Sequence, residues 1–127
     1  MGFSEASLTK LLNENVCEII FNRRGDGLDR RMLCTNSKIL LNSISGKVAL
    51  GFRPPKGVGL KYFPSDKKLV VTWDLMWQQF RQIPLETANV LTAIPLKSEE
   101  DVNNFWLYFD KKLQNMSTFE KVGFMSK

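Results

Sequence analysis

The sequence predicts a mostly β chain with a helix near each end, and three observations carry that reading. Short apolar runs with period-two alternation recur between residues 16 and 94, separated by Gly, Pro, Asn and Asp. Apolar residues at three- and four-residue spacing mark the flanks, over residues 4–14 and 98–115. At 127 residues and 43% hydrophobic content, the chain suits one domain, 1–127, with a core that needs no metal or disulfide. Several short strands joined by close turn signals indicate a small antiparallel barrel or sandwich, not a parallel α/β sheet.

Leu8, Leu11 and Leu12 share one face of the first helix, with Ser4 as N-cap and Glu5 in the first turn. A hairpin follows, from Val16–Asn22 through Arg23–Gly27 to Leu28–Thr35. Centring its turn on Asp26-Gly27, a type I′ pattern, opposes Phe21 to Met32. Centring it on Gly25-Asp26 opposes Phe21 to Arg30 and Cys17 to Cys34. The first register is preferred because it avoids facing Phe21 with a charge. Both registers put Cys17, Ile19, Phe21, Met32 and Cys34 on the core face and Arg31 on the other face with Glu18 and Asp29. The cysteines read as buried thiols, since a reducing cytoplasm opposes a disulfide.

Residues 36–46 read as a turn or short helix that tucks Ile39, Leu40 and Ile44 inward and ends at Gly46. The stretch 47–66 is rich in Gly and Pro and reads as a long loop. Lys68–Asp74 is a strand with Leu69, Val71 and Trp73 on one face. Gln78–Ile83 returns antiparallel towards Pro84, which marks a candidate edge, and Ala88–Ile94 is a further strand. Ser98 opens the last helix, with Glu99, Glu100 and Asp101 in its first turn. Its stripe of Val102, Phe105, Trp106, Phe109 and Leu113 is expected to cover the strands. The tail 116–127 is weakly patterned, with Phe119, Val122, Phe124 and Met125 as anchors.

Charge is sorted along the chain. Residues 23–81 hold twelve Lys or Arg against four acids, whereas both flanks lean acidic within an overall net charge of +5. Such sorting bears on partners and points to an anionic one. The absence of histidine removes the common zinc patterns and every His-dependent acid, base or triad mechanism. With no paired carboxylates in catalytic spacing either, the chain reads as a non-enzyme with no cofactor and no metal. No apolar run reaches the roughly 20 residues of a membrane span, and no secretory leader opens the sequence, so a soluble cytoplasmic protein is expected. Met1-Gly2 lacks the Ser or Thr at position 6 that a myristoylation signal requires.

Two blocks carry a family resemblance. Cys17–Gly27 followed by Arg30-Arg31-Met32-Leu33-Cys34-Thr35 resembles the opening hairpin of small tailed-phage proteins described as Sm-like or SH3-like β-barrels related to the WYL domain. Val70–Leu75 and Phe80-Arg81-Gln82-Ile83 look like that family's Val-Trp-Asp-Leu strand and the strand after it. Phe80 stands where the family more often has Trp and Ile83 where it has Phe, and the loop 46–66 is longer than usual. The resemblance implies a five-strand antiparallel SH3-like barrel over 16–94, a phage origin and a host-cell setting. The family's biochemical role is itself largely undefined.

The expected function is nucleic-acid binding through a basic and aromatic barrel surface made of Arg23, Arg24, Phe52, Arg53, Lys56, Lys61, Tyr62, Lys67, Lys68 and Arg81. The alternative is a protein-binding accessory factor that docks on an acidic face of a host or phage protein of the transcription or replication machinery. A third reading is small-ligand sensing at a barrel mouth lined by Arg81 with Trp73 or Trp77. The ordinary assignment sends Phe80 to the core and Arg81 to the surface, and a buried Arg81 would need an anionic partner.

Overall fold

The structure, a computed structural model, describes residues 4–44 and 63–115. Its frame is a five-stranded antiparallel sheet in the order β4-β3-β2-β1-β5, with three helices. The strands are β1 (Asn15–Asn22), β2 (Asp29–Thr35), β3 (Leu69–Asp74), β4 (Gln79–Pro84) and β5 (Asn89–Pro95). The helices are α1 (Glu5–Glu14), α2 (Lys38–Ser43) and α3 (Glu99–Asn115), and Pro64–Lys67 adds a short 3₁₀ turn before β3.

Local signals explain the helix ends. The Ser7 amide donates to Ser4 Oγ at 3.1 Å, which caps α1. At α3 the Asp101 amide donates to Ser98 Oγ at 3.3 Å, and the Asp101 carboxylate accepts from the Lys97 amide at 2.8 Å. This is a capping box shifted back by one residue.

Both faces of the central strands carry a core. On one, Cys17, Ile19, Phe21, Met32, Cys34, Val70 and Ile83 pack with Leu8 and Leu12 of α1 and with Leu85 and Ala88. On the other, Val16, Leu33 and Trp73 meet Leu40 and Ile44 together with Val102, Phe105, Trp106 and Phe109 of α3. The stripe predicted for the last helix therefore covers the sheet as expected. The Trp106 indole also donates to Ser43 Oγ at 2.9 Å, tying α3 to α2.

Four expectations need correction. The hairpin takes the second register, with Phe21 opposite Arg30, Ile19 opposite Met32 and Cys17 opposite Cys34. Its loop has four residues, closed by the Arg23 amide on Leu28 O at 2.8 Å and the Gly27 amide on Arg23 O at 2.8 Å, with Gly27 at φ 71°. On β3 the buried residues are Val70, Thr72, Trp73 and Asp74, while Leu69 and Val71 are half-buried. Leu40 and Ile44 point inward, but Ile39 is exposed. Lastly, the ladder is open: β4 and β5 end the strand order, so the described residues form five antiparallel strands with flanking helices and show no closed barrel among them.

Two irregularities bend this sheet. The β2–β3 ladder holds only Cys34 opposite Asp74 and Thr35 opposite Trp73, so the strands diverge beyond it. Between β1 and β5 the register shifts at Glu18/Ile19, which face Thr92 and Val90 and leave Leu91 as the extra residue of a bulge. Bending brings the end of β1 near β4, where Phe21 and Arg23 line a cleft with Phe80, Arg81 and Gln82. Phe52, Arg53, Lys56, Lys61 and Tyr62 of the predicted surface lie outside the described residues. So do Gly46, the tail anchors Phe119, Val122, Phe124 and Met125, and the side chain of Leu113.

Candidate functional site

Asp74 organises the cleft. It ends β3 on the α1-side face and is fully buried. Its Oδ1 accepts from the amides of Met76 at 2.9 Å and Trp77 at 3.0 Å, which folds the β3–β4 turn against the strand end. The Gln78 amide donates to Asp74 O at 2.7 Å, and Gln78 adopts φ 54° to close the turn. This places Arg81 back along β4, opposite Thr72.

Two guanidinium groups converge on the other carboxylate oxygen. Arg30 Nη2 donates to Asp74 Oδ2 at 3.1 Å and Arg81 Nε donates to the same atom at 3.0 Å. Their side chains are 3% and 20% exposed, against 0% for Asp74. One buried carboxylate thus serves two buried or half-buried cations. Burial, and after it the Arg81 cation, lowers the Arg30 pKa from its ordinary value. The Arg81 guanidinium also lies over the Trp77 ring, 5.7 Å from its centroid.

The cleft itself has a volume of about 280 Å³ and is lined by Phe21, Arg23, Arg30, Phe80, Arg81 and Gln82. Arg23 pairs with Asp26 at 3.0 Å within the hairpin turn and stays partly exposed. Phe80 packs edge-on against Trp73 at 5.1 Å between ring centroids and belongs to the α3-side core. Phe80 and Arg81 were expected to divide between core and surface. Because the central strands carry a core on both faces, each enters an interior, and Arg81 is the one that meets a carboxylate.

Of the described residues predicted for the site, Arg23 and Arg81 come together in this cleft. Arg24 does not: it forms a bidentate pair with Glu86, at 2.7 and 2.8 Å, and reaches Lys68 O at 3.5 Å. The Arg24 hydrogen bonds hold the Glu86 carboxyl down to about 2. Lys67 and Lys68 are exposed before β3, near Phe63, which is 74% exposed. Sequence reasoning missed Arg30 and Asp74. The available signal was parity, since Arg30 alternates with Met32 and Cys34 on the core face, where an arginine requires a buried acid. Among the described residues no group of Asp, Glu and Cys could hold a metal ion, and no helix is long and apolar enough to cross a membrane.

No protein-family model matches the chain, and neither a curated protein nor a solved structure matches it.

Proposed function

We propose that the chain is a non-enzymatic, phage-encoded module of the SH3-like or Sm-like type, working in the host cytoplasm, that binds nucleic acid at the turn end of its sheet. The observation that carries this reading is the convergence of Arg23, Arg30 and Arg81 on one cleft beside the rings of Phe21 and Phe80. Guanidinium groups at an open cleft suit a strand whose phosphates need cations, and the exposed ring of Phe63 offers its bases a flat partner. The barrel reading is supported by the strand order, by the helix ahead of β1, and by the way β4 bends towards the end of β1. Lys67, Lys68 and Phe63 extend the basic and aromatic character beyond the cleft.

Fluorescence anisotropy with single-stranded DNA, duplex DNA and RNA at two salt concentrations tests the proposal. Binding is expected at low salt, weakening log-linearly by about 0.7 to 0.9 per phosphate contacted. The double change R53A and K56A is expected to weaken it without unfolding the protein. Absence of binding to every nucleic acid at low salt rejects the reading.

A second reading, docking on a protein, is favoured by a different surface. Edge strand β5 is largely exposed, and Thr92, Ile94 and Pro95 form a groove with Phe105 and Tyr108 of α3. Capture of one discrete host protein from nuclease-treated lysate, lost in Tyr108→Glu, supports that alternative.

A further inference from the structure

The two edges of the sheet are built differently. At one, β4 is half-buried or buried along its length, carries Arg81 and ends at Pro84. Cover, charge and proline are the usual means by which an edge strand is kept from pairing with another chain. At the other edge, β5 lacks them over most of its length. Its seven residues, Asn89–Pro95, include no Lys, Arg, Asp or Glu, and proline comes only at the last position. Asn89, Leu91, Thr92, Ala93 and Pro95 are exposed, and among the described residues β5 pairs with β1 alone. The bulge bends the strand at Leu91 yet leaves that side chain 46% exposed. Val90, Thr92 and Ile94 are β-branched, which suits a strand paired on both sides.

Charge at the two ends of β5 bears on what the second strand is. Past Pro95 the chain enters α3 through Lys97, Glu99, Glu100 and Asp101, and Glu99 and Glu100 are exposed. Ahead of Asn89, Arg24 bonds Glu86 at 2.7 and 2.8 Å and reaches Lys68 O at 3.5 Å. The Arg24 hydrogen bonds, with Lys68 nearby, hold the Glu86 carboxyl down. The Asn22 amide donates to Thr87 Oγ1 at 3.1 Å, which pins this corner beside the start of β5. Arg23 and Asp26 on the same hairpin turn form a pair of their own, and Asp29 lies two strands away on β2. An identical strand laid antiparallel brings Glu99 and Glu100 of one copy towards Arg24 and Lys68 of the other, and Lys97 towards Glu86. A parallel one sets like charge against like.

We infer that two copies of this chain join through β5, antiparallel about a two-fold axis near Thr92, so that their sheets become one. Leu91 of each copy then lies opposite Ala93 of the other, and an apolar side chain left uncovered in one copy is covered by the second. The groove that Thr92, Ile94 and Pro95 form with Phe105 and Tyr108 of α3 lies along this strand and widens the contact. The same surface serves both copies, so the contact closes as a dimer and does not grow into a fibre. It is independent of the nucleic-acid reading, and it names an occupant for the edge that the protein-docking reading uses.

Sedimentation velocity of the nuclease-treated 127-residue chain, over a range of micromolar concentrations, tests the inference. The wild type is expected to shift reversibly from its 14.6 kDa monomer towards twice that mass as concentration rises. Leu91→Lys puts a charge on the edge at the bulge residue, outside the paired positions of the β1 ladder, and is expected to weaken association about tenfold. Glu100→Lys, on the exposed first turn of α3, is expected to weaken it severalfold, as is added salt on the wild type. Hydrogen exchange on the wild type is expected to show protection over residues 89–95 that grows with protein concentration. Should Leu91→Lys fail to fold, that exchange measurement decides alone.

A monomer at every concentration overturns the inference, and so does a dimer whose β5 amides exchange at a rate independent of concentration. Association that disappears on nuclease treatment overturns it too, since nucleic acid is then the bridge. Loss of the dimer leaves the nucleic-acid reading to its own anisotropy assay, and failure of that assay leaves the dimer standing.

Discussion

Asp74 is the residue on which the cleft depends. It is fully buried, and removing its charge takes from Arg30 and Arg81 the carboxylate oxygen they share. Asp74→Asn is therefore expected to cost about 3–5 kcal/mol, the usual penalty for breaking a buried pair from one side, read as a lower urea midpoint. The exposed pair of Arg24 and Glu86 behaves differently. Glu86 has a carboxyl held down to about 2, so the stability it contributes is present above the unfolded carboxylate value near 4.3 and is lost as pH falls through about 2. Its half-exposed position makes that contribution small. Glu86→Gln is expected to remove a modest part of the acid dependence between about pH 4 and pH 2, seen by comparing thermal midpoints of the two proteins.

The elements show why one register was hidden from the sequence while one helix was not. α3 repeats Val102, Phe105, Trp106 and Phe109 at helical spacing, and that local pattern states which face is buried whatever lies beneath it. Phe105 stacks on Phe109 at 5.6 Å and meets Trp106 at 5.5 Å. Phe109→Ala is expected to destabilise the protein by about 3–5 kcal/mol and to raise amide exchange along α3 first. The hairpin is another matter. Opposing Phe21 to Arg30 looks unfavourable when only β1 and β2 are considered, because the acid that receives Arg30 is Asp74, at the far end of β3. Register was decided by a contact distant in sequence, and no local rule of turn chemistry contains it. The same distance hid Arg30 and Asp74 as site residues, although the parity of Arg30 with Met32 and Cys34 was on view.

At the scale of the molecule, the sheet sits between two cores, and this explains the assignments that alternation handled poorly. Alternation tells inside from outside only when one face is wet. Here Phe80 and Arg81 both enter an interior, as do Trp73 and Asp74. Burial also governs the cysteines. It pushes the Cys17 thiol up to about 12 and Cys34 upward as well, and both side chains are wholly buried. Neither thiol is expected to react with iodoacetamide at pH 8 in the folded protein. Mass spectrometry should show both labelled together, at a rate that follows global unfolding and not local opening.

The strand order has a consequence for synthesis. β1 lies beside β5, so Val16 waits for Ile94 before its second ladder is complete. At about 5–20 residues per second that wait is on the order of ten seconds, during which one edge of the first hairpin stands bare. An uncovered edge is where nascent chains pair with one another. Glu18, paired with Arg31 across the hairpin at 2.9 Å, holds charge in the middle of that edge until β5 arrives.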